Sequence, residues 1–157
     1  MKIILIQIEK TSDAYLEQGV AIYQNRLKNY ITFETLTINM PKQVRQKTFE
    51  EQKRAEAQEI LRLLDPSDFL VCLDEKGRQL SSVDFSEFIN KRMVAATRRL
   101  VFLIGGPFGI DEQVLAKAQY KLSLSDMTFS HQIIRLFFME QVYRAFTILK
   151  NEKYHHV

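Results

Sequence analysis

The sequence predicts an α/β fold: a mostly parallel sheet with helices on both faces, folded as a single domain over residues 1–157. Three observations carry that expectation. Apolar runs of strand length recur at "IILIQI" (3–8), "FLVCL" (69–73) and "LVFLI" (100–104). Segments with a helical period separate them, and strands alternating with helices are the pattern of a parallel sheet covered on both sides. The composition, 46% hydrophobic and 26% charged with only three Pro and five Gly in 157 residues, is that of a chain able to bury a real core. No repeat or low-complexity linker divides it.

Each element has a local reason. After the β-branched first run, Thr11 and Ser12 are cap residues, and Leu16, Val20, Tyr23, Leu27 and Tyr30 recur at steps of four and three, the period of an amphipathic helix. "ITFETLTI" (31–38) sets Ile31, Phe33, Thr35 and Thr37 against Thr32, Leu36 and Ile38, and reads as the second strand, closed by Pro41. The polar stretch that follows carries Lys42, Arg45, Lys47 and Lys53. "AEAQEILRLL" (55–64) is helical and stops at Asp65-Pro66-Ser67. "FLVCL" is the third strand, and "DEKGR" (74–78) is a loop of turn-forming residues. Ser81 or Ser82 caps a helix whose apolar set includes Val83, Phe85, Phe88 and Ile89. "LVFLI" is the fourth strand, followed by a helix from Asp111 to about Ala118. "YKLSLS" (120–125) is a short fifth strand, and the last helix spans Ser130 to about Lys150.

Several function classes fall away on composition. No apolar run reaches the length of a membrane span, and charge returns at Glu9 too soon for a signal peptide. One cysteine, Cys72, allows no internal disulfide and fits a reducing cytoplasm, the expected location. Lying inside an apolar run, it reads as a buried structural thiol rather than a nucleophile. A formal charge of +3 permits a polyanionic partner without requiring one. No Ser-His-Asp set, metal-ligand cluster or nucleophilic cysteine setting is visible, so neither a hydrolase nor a metal site is expected.

The most informative stretch is "VFLIGGPFGI" (101–110). A glycine turn between a strand and a helix stands where α/β proteins bind nucleotides. Its G-G-x-x-G spacing is not the dinucleotide pattern, and no Lys-Ser or Lys-Thr follows as in a phosphate loop. Pro107 also lacks the N–H that a phosphate cradle would use. The turn therefore suits close backbone approach by a ligand without phosphates, or is only a tight strand-to-helix connection. Position favours the ligand, because ligands of open parallel sheets sit at the carboxyl ends of strands. "LDEKGR", "GGPFG" and "SLSDMTFSH" all fall at such ends. The last offers the Ser123, Ser125 and Thr128 hydroxyls between the apolar walls Met127 and Phe129, a mixture suited to an adenosine bearing a thioether or sulfonium tail.

Together, "LDEKGRQLSS", "FLIGGPFG", "LSLSDMTFSHQIIRLFFMEQVYRAF" and the terminal "YHH" resemble the ribosomal RNA large-subunit methyltransferase H family, small SPOUT-class methyltransferases. The likeness covers nearly the whole chain. It implies an α/β fold with a deep C-terminal trefoil knot, a homodimer, and S-adenosylmethionine as methyl donor. The implied reaction is methylation of N3 of a pseudouridine in 23S rRNA within the assembled ribosome. The resemblance places the cofactor at Leu73, Gly105, Gly106, Leu124, Ser125, Asp126, Met127, Thr128 and Phe129. Ser130 stands where the family commonly has Pro, and both suit a helix start. The rival from another class is a non-catalytic ribosome- or RNA-binding dimer with a vestigial pocket.

On the substrate side the catalytic candidates are His131, Arg144, Tyr154 and His155, each with a plainer alternative. His131 is a helix-start residue or a contact to the target base. Arg144 is an ion-pair partner of Glu140 four residues earlier, or a phosphate contact. Tyr154 and His155 belong to a frayed end, or to the tail that in the family reaches the partner's active site. The basic residues from Lys42 to Lys53 are solvated surface or an RNA-facing patch, and Asp126 is a turn-former or a counter-charge to a sulfonium. The final helix is apolar on every face and is expected to form the dimer interface, with Phe138 or Phe146 toward the partner.

Overall fold

The computed structural model describes residues 1–156. In chain order it consists of β1 (Lys2–Ile8), α1 (Ala14–Leu27), β2 (Thr32–Ile38), α2 (Phe49–Leu63), β3 (Phe69–Gln79), α3 (Ser82–Val94), β4 (Arg99–Ile104), α4 (Glu112–Leu115), β5 (Tyr120–Ser123) and α5 (Ile133–Leu149). The five strands form one sheet in the order β2-β1-β4-β3-β5, and every pairing is parallel. Alternate residues of the central strands serve opposite faces. Ile3, Leu5, Val71, Leu100 and Phe102 pack against α1, α3 and α5. Ile4, Ile6, Leu70, Cys72, Val101 and Leu103 pack against α2 and α4. Burial on both faces is why these strands read as continuous apolar runs. Cys72 is buried as expected, and desolvation pushes its thiol up to about 12, which keeps it protonated and inert.

Several boundaries differ from the sequence reading: β5 ends at Ser123 rather than residue 125, α4 at Leu115 rather than near Ala118, and four further differences are more informative. The helix expected from residue 55 begins at Phe49, because Thr48 and Glu51 form a capping box. The Thr48 hydroxyl accepts from the Glu51 N–H at 3.3 Å, and the Glu51 carboxylate accepts from the Thr48 N–H at 3.0 Å. The "DEKGR" stretch is part of β3, whose register against β5 shifts between Leu73 and Arg78. Gly77 permits this, since a Cβ there would stand 2.6 Å from the Lys121 carbonyl carbon. The N-cap of α1 is Asp13 rather than Thr11 or Ser12, and Tyr30 lies beyond its end. Finally, α5 starts at Ile133 with Gln132 as its N-cap residue, and Ser130, where the family commonly has Pro, accepts the Ile133 N–H at 3.2 Å from the turn before it.

The last helix is not free to present Phe138 or Phe146 to a partner. Both are buried in the chain's own core, Phe138 against Phe102 with ring centroids 4.8 Å apart. α5 lies on the sheet between α1, where Leu136 meets Gly19, and α3, where Ser82 bonds Gln141 at 2.7 Å. Burial inside one subunit therefore accounts for most of its apolar surface. The phenylalanine it does expose is Phe137, 41% accessible and packed edge-on to Phe129.

Candidate active site

A cavity of about 480 Å³ opens at the carboxyl ends of β3, β4 and β5, within the range of small-molecule sites. The three predicted loops meet there. Leu73, Gly105, Gly106, Leu124, Ser125, Met127, Thr128 and Phe129 all line it, and so does His131. Asp126 does not; it is exposed. The acidic residues that line the cavity are Asp74 and Glu75, which the sequence reading treated as turn residues. Ile104, Leu122 and Ile134 add apolar wall that followed only from the fold.

Hydrogen bonds within the loops set their shape. Ser123 Oγ donates to the Ser125 carbonyl at 2.9 Å, and Ser125 Oγ accepts from the Met127 N–H at 2.9 Å. Both hydroxyls thus build the loop first, leaving backbone and apolar surface as its main offering. The glycine turn closes through Gly109 N–H to the Gly106 carbonyl at 3.1 Å, with Gly109 at φ +88°. A Cβ on Gly105 would strike Ile110, and one on Gly106 would strike the Glu56 carboxylate. Packing within the turn therefore favours glycine at Gly105 apart from any ligand, whereas at Gly106 the neighbour is the end of the Glu56 side chain.

Two buried ionisable groups stand beside this site. Arg135 is fully buried, and burial pulls its guanidinium down to about 10, still charged at neutral pH. It donates to the carbonyls of Ile8 (2.7 Å) and His131 (2.9 Å) and to the Thr11 hydroxyl (3.1 Å), tying the start of α5 to the end of β1. Burial, and then the Arg135 cation, hold the His131 imidazole below its ordinary range, so it is uncharged at neutral pH.

Glu56, on α2 behind the glycine turn, is 7% exposed, and among the described residues no hydrogen bond or ion pair reaches it. Burial, reinforced by the Glu9 carboxylate, raises it to about 7. The folded chain therefore holds this proton up to about pH 7, whereas the unfolded chain releases it near 4.5, and stability falls as pH rises through that window. The loss should total roughly 3 kcal/mol at most. Glu56→Gln should remove it, so thermal denaturation at pH 5 and pH 8 should show the wild type losing more stability than the variant. Equal losses would contradict the assignment.

Arg144, on α5, and Tyr154 and His155, in the tail that folds back against it, lie outside the cavity and cluster within their own chain. Arg144 Nε donates to Glu140 at 3.0 Å, its guanidinium meets His155 Nδ1 at 3.2 Å, and it stacks over the Tyr154 ring. Tyr154 Oη donates to Glu140 Oε1 at 3.0 Å. The end is thus fastened down rather than frayed, and Glu140 is its anchor. Glu140 also lines a second cavity of about 380 Å³, which shares Leu122, Leu124, Ser125, Phe129 and Ile134 with the first. Among the described residues no group of three or more His, Cys, Asp or Glu is arranged to hold a metal ion, and no helix is long and apolar enough to cross a membrane.

Comparison with known proteins fits this geometry. A family model described as "Predicted SPOUT methyltransferase" matches residues 1–155. The chain is 50% identical over 156 residues to a ribosomal RNA large subunit methyltransferase H of Parabacteroides distasonis, covering 99% of each chain. It is 52% identical to the protein of that name from Christiangramia forsetii, again over 99% of each. Among solved structures, a probable methylase family protein from Haemophilus influenzae superposes with a TM-score of 0.57 at 14% identity, covering 99% of this chain and 70% of the other, a likeness of fold. The chain belongs to the SPOUT methyltransferase family, in the branch of the ribosomal RNA large subunit methyltransferases H.

Proposed function

We propose that the chain methylates N3 of a pseudouridine in 23S rRNA of the assembled ribosome, with S-adenosylmethionine as donor. It acts in the cytoplasm as one methyltransferase domain over 1–157 and as a homodimer. The observation that carries the reading is the cavity at three strand ends, built from backbone and apolar wall with Asp74 and Glu75 at its edge. That donor set fits the group. Leu73, Leu124 and Phe129 offer faces for a purine, exposed loop amides offer edge hydrogen bonds, and the two carboxylates favour a cationic tail. Bound there, S-adenosylmethionine supplies an electrophilic methyl group on a sulfonium. Positioning contributes most of the acceleration for an in-line transfer of this kind. The remaining requirement is removal of the imide proton, which the neutral His131 imidazole is placed to accept.

The relatives' names supply the RNA, and the family resemblance supplies the knotted C-terminal half. The Glu140-anchored cluster of Arg144, Tyr154 and His155 keeps its substrate-side role through the dimer, in which one subunit's tail faces the partner's cavity. Phe137 and Phe129, exposed side by side next to that cavity, are the apolar surface a second copy would cover. Phe137→Asp should shift sedimentation from dimer to monomer and reduce methyl transfer with it. A dimeric, active variant would place the interface elsewhere. Calorimetry with S-adenosylmethionine tests the donor: micromolar binding supports an enzyme, and silence supports the RNA-binding dimer instead.

A further inference from the structure

We propose that the exposed Phe49 ring, backed by the half-buried Phe108 and with the cationic side chains before it, is a stacking platform for an unpaired RNA base flanking the methylated nucleotide. The proposal rests on the rRNA-methylation reading and adds to it a second contact point. Phe49, the first residue of α2, is 63% exposed and stacks on Phe108 with ring centroids 3.9 Å apart and planes 21° from parallel. Neither ring belongs to either core cluster. Phe108 lies inside the glycine turn, between Pro107 and Gly109, which both line the cofactor cavity. The pair therefore stands at the rim of the site.

The platform is held rigidly from below. The Thr48–Glu51 capping box fixes the first turn of α2, so Phe49 leaves it in a set direction. Gln52 Nε2 donates to the Lys47 carbonyl at 2.8 Å and to the Arg45 carbonyl at 3.4 Å, pinning the preceding basic segment to the same helix. Charge then names the occupant. Lys42 and Lys47 are exposed and form no close ion pair among the described residues, although the Lys47 charge acts on Glu51. Arg45 meets Glu9 at 3.0 Å, yet its side chain remains 58% exposed. The nearby acids are already engaged: Glu50 pairs with Lys53 at 3.5 Å, and Glu51 is the cap. An exposed flat aromatic ring preceded in the chain by exposed cations matches a base and its phosphates, the combination by which proteins take unstacked RNA.

The test is methyl transfer to assembled ribosomes by Phe49→Ala and Phe49→Trp, with thermal denaturation to confirm folding. Loss of one stacked base should raise the KM for ribosomes about tenfold in Phe49→Ala. Turnover at saturating ribosomes and S-adenosylmethionine affinity should hold, and Trp should restore the KM. An unchanged KM would overturn the platform. So would a parallel fall in cofactor affinity, which would make the pair a brace for the glycine turn, or dissociation of the dimer, which would make it a subunit contact. If the unaltered protein transfers no methyl group to ribosomes, the methylation reading fails first and the platform with it.

Discussion

Gly105→Val should weaken S-adenosylmethionine binding about 100-fold, an effect near 3 kcal/mol. A Cβ at this position would lie 2.7 Å from Ile110 Cγ1 and 3.0 Å from the Gly109 carbonyl oxygen, and neither can retreat freely. Ile110 is partly buried in the cluster beneath α2 and α4, and Gly109 closes the turn at φ +88°. Overpacking of this kind displaces backbone rather than merely filling space. The displaced segment is cavity wall, since Gly105, Gly106, Pro107 and Gly109 all line it. β4 ends at Ile104, inside the core, so the variant should stay folded while calorimetry shows the lost affinity. Wild-type affinity in a folded Gly105→Val protein would remove this turn from the site.

His131→Gln should lower turnover about 100-fold, the lower end for loss of a positioned proton acceptor. Its imidazole faces the cavity, and burial beside the Arg135 cation keeps it neutral. The sign of the pH dependence follows. Activity needs the unprotonated ring, so turnover should stay level through neutral pH and fall only below the ordinary histidine range. In the variant that acidic limb should vanish, while S-adenosylmethionine affinity holds. A variant with full turnover, or one that retains the limb, would assign the proton to water or another group.

The strands and the layout of the cavity were legible because both follow from local pattern. A sheet buried on both faces needs unbroken apolar runs, and three strand-end loops of unusual composition marked where a ligand would sit. The start of α2 was also written in the sequence, as Thr48 and Glu51 three residues apart, but the surrounding charges masked it. "DEKGR" misled because Gly77 has two uses that composition cannot separate. It would serve a turn, and it also lets β3 pass within backbone distance of Lys121. Phe138 and Phe146 misled for a related reason. An all-apolar helix requires cover on every side, and pattern cannot distinguish a neighbouring α1 or α3 from a second subunit. Glu56 and Arg135 became informative only through long-range packing, one against Gly106 and the other against the end of β1.

The central claim is tested most directly by incubating the protein with methyl-labelled S-adenosylmethionine and either assembled ribosomes or free 23S rRNA, then mapping the label. The account predicts label on N3 of one pseudouridine in 23S rRNA, formed on ribosomes, little formed on free rRNA, and at a rate that falls as salt rises. Absence of label from ribosomes and free rRNA alike, by a protein that binds the donor, would contradict it.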